Sequence, residues 1–416
     1  MKRPALSALI AGSLVSLAAL ATLGGLGANT PTRPASADFV VASSRDAGPG
    51  TLRDALLAAD RLSSRAHIVI TAKRITLDSA LPALINPHGV EIDAAADAGV
   101  IDADRQKSGA VLQIDSPTSV LRGLHVINGH AFGIIVNAPN TRMESLTVSG
   151  SKIGILLTAA ASGAVVRTST LEHDETAVMA EAEARNLGIF SAIFRDNSRA
   201  GFWLVASTQE GTASAGAPEG RYAARIVDGV FEKNAAGVVI ANRPTLVQKC
   251  RFIGTRDSAV LLLGGAARVE DSEIRSSGGT AISITSGTSV TIVHNTLVDN
   301  VSTAIGLRDT EAVVERNTLQ HNGFGIVSVV TRGSATSVIR DNIITRTSSD
   351  AITLIGGATR IERNHITENH GAGLRALDLV RDDLELKVAP HLEANVFERN
   401  GIDVPPHGVY KLSGAL

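Results

Sequence analysis

From about residue 85 to residue 404 the chain is written in short runs that alternate aliphatic side chains with polar or small ones, each closed by Asn, Gly, Ser or Asp. "AVVER" (Ala312 to Arg316) and "AISIT" (Ala281 to Thr285) are examples. Alternation with a period of two predicts strands with one buried face. The runs fall into a longer phrase that repeats: "VHNTLVDNVSTAI" from Val293, "VERNTLQHNGFGI" from Val314, "IRDNIITRTSSDAI" from Ile339 and "IERNHITENHGAGL" from Ile361. Aligned on the Asn of that phrase, the series reads Leu124, Leu146, Ser169, Ala192, Gly229, Cys250, Ser272, Asn295, Asn317, Asn342, Asn364 and Asn395. The period is about 22 residues, with insertions after Ala192 and after Asn364. Such a period suits either a leucine-rich horseshoe or a parallel β-helix. The unit contains three Val/Ile/Leu/Thr runs and no Leu-rich consensus, which predicts three strands per turn. The expected fold is therefore all-β, a single-stranded right-handed parallel β-helix.

The Asn residues have a physical role in such a coil. A corner between strands needs a left-handed backbone, which Asn tolerates better than most residues with a Cβ. Stacked at roughly 4.8 Å, inward-turned amides can also bond up and down the coil as a ladder. Asn295, Asn317, Asn342, Asn364 and Asn395 are the expected ladder, with the earlier small and apolar residues replacing it. A second set, Asn197, Asn234, Asn300, Asn322, Asn369 and Asn400, marks the next corner, where a milder role is expected. In these repeats the sequence resembles the pectate-lyase-like right-handed parallel β-helix superfamily. The resemblance covers roughly residues 85 to 404 and implies a fold. Activity it leaves open, because lyases, hydrolases, epimerases, adhesins and non-catalytic proteins share that fold.

The ends differ from the repeats. Lys2 and Arg3, an apolar stretch from Ala5 to Leu23 and Ala35-Ser36-Ala37 have the order of a secretory leader over residues 1–37, and an uncleaved membrane anchor is the alternative. Removal of the leader takes the formal charge from −2 to −5, mild for a domain of this size and unlike a nucleic-acid binder. The protein is thus expected to be exported, with no stable membrane insertion after cleavage. Residues 38–84 read as an amino-terminal cap, because "DAGPGTLRDALLAAD" (Asp46 to Asp60) resembles a segment found at the start of many secreted β-helix and adhesin-like proteins. Thr51 and Asp54 approximate a capping box for a helix over about 51–62, with Leu52, Ala55, Leu56 and Ala59 on one face. Residues 405–416 read as a tail. Cys250 is the single Cys, so no intramolecular disulfide forms, and it reads as a small buried thiol. No zinc, phosphate-loop or dinucleotide motif appears, and no metal or cofactor is expected.

Candidate chemistry lies on the strand after the second corner, where the superfamily resemblance implies that substrates bind. Its first outward column is expected to read Ile135, Leu156, Met179, Trp203, Val239, Leu261, Ser283, Gly306, Val327, Thr353 and Arg375. The second is Asn137, Thr158, Glu181, Val205, Ala241, Leu263, Thr285, Arg308, Val329, Ile355 and Leu377. The stripe from Ile135 to Leu261 is apolar enough to need cover, by the loop Ser207 to Tyr222 or by another chain. Trp203 can instead stack on a sugar ring. "HGAGLR" (His370 to Arg375) resembles the His-Gly to Arg phrase of alginate C5-epimerases, although that family's D-P-H-D motif is absent. The resemblance implies His370 as base, Asp350 as its orienting partner, and Arg375 with Arg308 and Asp309 on the substrate. Solvated corner residues are the alternative account of this group. Two functions remain in view: an exported enzyme acting on a uronic-acid-containing polysaccharide by C5-proton abstraction, lyase or epimerase, or a non-catalytic β-helix that binds polysaccharide or a partner protein.

Overall fold

The computed structural model describes residues 38–205, 222–333, 335–381, 384–404 and 408–411. The expected leader and most of the loop Ser207 to Tyr222 and of the tail lie outside them. Among the described residues the chain winds about 13 right-handed turns of roughly 23 residues, with one helix. Three parallel sheets line the coil. Sheet A runs from Asp38–Val41 and Ala66–Ile70 to Val388–Glu393, sheet B from Arg74–Thr76 to Val396–Glu398, and sheet C from Ala110–Ile114 to Gly408–Lys411. Parallel stacking starts at the first strand, with Asp38 opposite His67 and Ala66 opposite Val90.

Register follows from the alternation. Ile226, Val247, Val269, Ile292, Val314, Ile339 and Ile361 stack one above the next on sheet A, all fully buried. Each such side chain contributes about 1.5–3 kcal/mol of apolar burial, and a one-residue slip would turn the whole column to solvent. The helix Leu52–Ala59 buries Leu52, Ala55, Leu56 and Ala59 in the core, and the Thr51 side chain accepts a hydrogen bond from the Asp54 amide at 3.3 Å. No helix among the described residues is long and apolar enough to cross a membrane.

The ladder is present and continuous. Nδ2 of Asn295 donates to Oδ1 of Asn317 at 3.0 Å, Asn317 to Asn342 at 3.0 Å, Asn342 to Asn364 at 2.9 Å and Asn364 to Asn395 at 3.0 Å. Ser169 and Ser272 continue it toward the amino end, each accepting a main-chain N–H of the preceding coil at 3.1 Å. Two expectations need correction. The left-handed residue is the one before each ladder Asn, at His294, Arg316, Asp341, Arg363 and Ala394, with φ between 51° and 55°. Its side chain leaves the coil, which frees the following Asn to point inward. The left-handed conformation costs roughly 1–2 kcal/mol, and the bonds of the Asn hold it in place. The second set is no milder corner either. Asn197, Asn234, Asn300, Asn322 and Asn369 are at most 2% exposed, and Asn300 donates to Asn322 at 2.7 Å as Asn369 does to Asn400 at 2.8 Å. It is a second inward ladder.

Candidate functional site

Both outward columns on sheet C are in the expected register. Leu156 faces Met179, Met179 faces Trp203, Trp203 faces Val239 and Val239 faces Leu261, and the line continues through Thr353 to Arg375. In the second column Arg308 lies opposite Val329, Val329 opposite Ile355 and Ile355 opposite Leu377. Of the apolar stripe, Val239 is buried and Ile135, Leu156, Met179, Trp203 and Leu261 are half-buried.

The six residues singled out in the sequence fall in three places. Asp350 and Arg375 meet in a two-pronged ion pair, Nε to Oδ2 and Nη2 to Oδ1, the latter at 3.0 Å. Asp350 also accepts the Ala372 amide at 2.8 Å and the Thr353 hydroxyl at 3.3 Å. Burial pushes its carboxyl up, but the bonds from Arg375, Ala372 and Thr353 outweigh this and hold it below the usual carboxylate range. Asp350 is therefore a fixed anion that clamps the corner to the next strand, and Arg375 is its counter-ion. His370 is exposed, and among the described residues its imidazole makes no hydrogen bond or ion pair.

Arg308 lies three coils from Arg375 in register. At about 4.8 Å per coil that is roughly 14 Å, too far to hold the same sugar carboxylate. Asp309 is spent on its own corner, where it accepts from the Thr331 hydroxyl at 2.6 Å and the Arg332 amide at 3.0 Å. Trp203 is seven coils from Arg375 and carries the Arg199 guanidinium 3.9 Å from its ring centroid. That distance suits a cation–π contact.

Sequence reasoning passed over a polar depression beside Trp203. It has a volume of about 480 Å³ and is lined by His130, Ser151, Lys152, His173, Asp174, Glu175, Asp196 and Ser198. These residues precede Ile135, Leu156, Met179 and Trp203 on their coils, so the depression lies on the turns that lead into the first part of the apolar column. Nothing flags it in the sequence, because its members come from four successive coils and share no motif. Asp174 lies deepest. Burial pushes its carboxyl up to about 7, against a hydrogen bond from the Ser151 amide and with the repulsion of Glu172.

One cluster elsewhere has the donor atoms of a metal site: His67, Glu91 and Asp93 place one ligand atom each within 4.8 Å of one another. Arg122 lies 3.0 Å from Asp93 and Arg65 3.1 Å from Glu91. A divalent cation would have to displace two guanidinium groups, so the arrangement reads as a salt-bridge network.

Known proteins bear on the fold. The family profile described as a right handed beta helix region matches residues 228–379. Among solved structures, the catalytic unit of a thermostable GH87 alpha-1,3-glucanase from Streptomyces thermodiastaticus is 14% identical, covering 88% of this chain and 70% of that one at a TM-score of 0.52. A GH87 alpha-1,3-glucanase catalytic domain in complex with tetrasaccharides is 11% identical, covering 90% and 69% at 0.52. The periplasmic alginate epimerase AlgG is 12% identical, covering 80% and 77% at 0.50. No curated protein matches the sequence. At these identities the likeness is one of fold.

Proposed function

We propose that this member of the right-handed parallel β-helix superfamily is an exported polysaccharide-binding protein, and that the chain lies along sheet C over Leu156, Met179, Trp203 and Val239. One observation carries the reading: an in-register column of apolar side chains, half-buried at Leu156, Met179 and Trp203, follows on from turns whose polar side chains line a depression. Sugar rings present apolar C–H faces and a rim of hydroxyls, and a site for them needs that pairing of apolar floor and polar edge. The carbohydrate enzymes that share the fold support a polysaccharide over other ligands. The leader-like residues 1–37 support export. Lys152, Glu175, Asp196 and Ser198 line the depression with both donors and acceptors for sugar hydroxyls.

Proton abstraction at C5 is the second reading, favoured by the exposed, uncommitted His370 imidazole. It has less support, since Arg375 is already engaged by Asp350 and Arg308 is remote. One experiment separates the two. Purified protein is titrated with a panel of uronate polymers and neutral glucans, and the mixtures are then assayed for unsaturated products and for exchange of the C5 proton. The binding reading expects saturable binding, no turnover, and about tenfold weaker binding for Trp203→Ala. Turnover that disappears in His370→Ala would establish the second reading and displace the first. Binding unchanged in Trp203→Ala would remove the proposed track.

A further inference from the structure

The second ladder obeys a rule. Where one Asn follows another, the main-chain N–H and the side-chain amide both donate to Oδ1 of the next rung, and the amide also donates to a carbonyl of the coil before. Asn197 does so with N and Nδ2 to Asn234 Oδ1 at 3.1 and 2.8 Å and Nδ2 to Leu171 O at 3.1 Å. Asn300 repeats it toward Asn322 and Ile274. One coil below Asn197 the rung is Asp174. It keeps the pattern wherever an acid can: its N–H donates to Asn197 Oδ1 at 3.0 Å, and its Oδ1 accepts the Ser151 N–H at 2.8 Å. By the pattern of the Asn rungs, its other oxygen, Oδ2, stands where the amide nitrogen would. That atom is sealed from solvent and among the described residues has no hydrogen-bond partner, while the residue as a whole is 2% exposed. What the amide nitrogen meets at that place in a rung is the next rung's Oδ1 and a main-chain carbonyl, both acceptors.

We propose that Asp174 is held un-ionised in the folded protein and donates its carboxyl proton as the missing amide of the ladder, making this corner of the coil a pH-sensitive rung. An ionised carboxylate would set oxygen against oxygen in a buried place, which costs far more than the proton-sharing arrangement. Charged neighbours do not rescue the ionised form. Glu172, His173 and Glu175 flank it on its own strand and corner, His130 and Lys152 lie on the two preceding coils, and Arg195 and Asp196 on the next. None of them hydrogen-bonds its carboxyl, and Arg195 is paired with Glu172 at 3.0 Å.

The direction with pH follows. The folded carboxyl titrates at about 7 against 3.8 for the ordinary group. The stability the proton provides is complete below about pH 3.8, declines as pH rises toward 7, and stays lost above it. The corner that weakens is the wall of the depression beside Trp203.

The test is thermal unfolding of the full-length protein and of Asp174→Asn from pH 4 to pH 9. The variant restores a true amide rung, so the two should unfold together at pH 4, and the variant several degrees higher at pH 9. Infrared difference spectra between parent and variant should show the carbonyl band of an un-ionised carboxylic acid at pH 6, gone at pH 9. Parallel unfolding curves, a variant less stable at every pH, or no such band at pH 6 would each overturn the proposal.

Discussion

Asn317→Leu should destabilise the solenoid by about 2–4 kcal/mol, and Asn322→Leu by a similar amount. The Asn317 amide donates to Asn342 Oδ1 at 3.0 Å, to Ile292 O at 2.9 Å and to Glu315 O at 3.0 Å, and its oxygen accepts both N and Nδ2 of Asn295 at 2.9 and 3.0 Å. Leu matches it in size but takes away the acceptor of the buried Asn295 main-chain N–H and the side-chain donor to the Ile292 carbonyl, while the Asn295 amide keeps Val269 O and Val293 O. Each orphan costs about 1–3 kcal/mol, partly relieved by local shifts. Asn322 holds the same place in the second ladder: it accepts from Asn300 N and Nδ2 and donates to Leu297 O at 2.9 Å, with no exposure. Denaturant unfolding of the two variants beside the parent is the measurement. A large loss at Asn317 with none at Asn322 would restore the picture of one ladder and one ordinary corner.

The single ladder was the natural expectation from sequence because its Asn residues stand next to an aliphatic alignment point, whereas the second series is broken by Asp174, Thr255, Ser277 and Thr347. A linear pattern cannot show that Thr347 keeps the rung by donating both its N–H and its hydroxyl to Asn369 Oδ1, each at 2.9 Å. The placement of the left-handed residues was hidden for a related reason. His294, Arg316 and Arg363 look like ordinary surface residues, and only the inward demand of the following Asn forces the turn onto them.

Column membership on sheet C was legible throughout, because a period of two within a period near 22 fixes which residues share a face and which coil each belongs to. Contact between side chains was not. His370, Asp350 and Arg375 gather within 26 residues of sequence, yet the carboxylate is aimed at Arg375 and the Ala372 amide while the imidazole is left to solvent. The depression beside Trp203 needs the opposite information: four coils must be stacked before His130, Lys152, His173 and Asp196 become neighbours. Short motifs report chemistry that is local in sequence, and a solenoid builds its surfaces from residues one turn apart.

The largest loss is expected for Phe231→Ala, about 3–5 kcal/mol. Phe194, Phe231 and Phe252 stack on successive coils of sheet B, with centroids 4.6 and 4.7 Å apart, ring planes within 13° and no exposure. Removing the middle ring opens a cavity between two fixed neighbours and breaks both stacking contacts. The coil is not free to collapse, because its register is set by main-chain bonds above and below. Space for these rings is provided on the opposite sheet: a Cβ added at Gly201 would lie 2.7 Å from Phe231, and one at Gly237 2.6 Å from Phe252. Gly201→Ala alone should therefore cost about 1–3 kcal/mol through overpacking. In the Phe231→Ala background the added methyl enters the vacated volume, so the double variant should be more stable than the sum of the single losses requires. Additive losses would show that Gly201 does not answer to the ring. Gly201 begins the run Gly201-Phe202-Trp203, so the ring stack is also what seats the strand beneath the proposed sugar track. Phe231→Ala should then weaken polysaccharide binding as well, even under conditions where the coil remains folded.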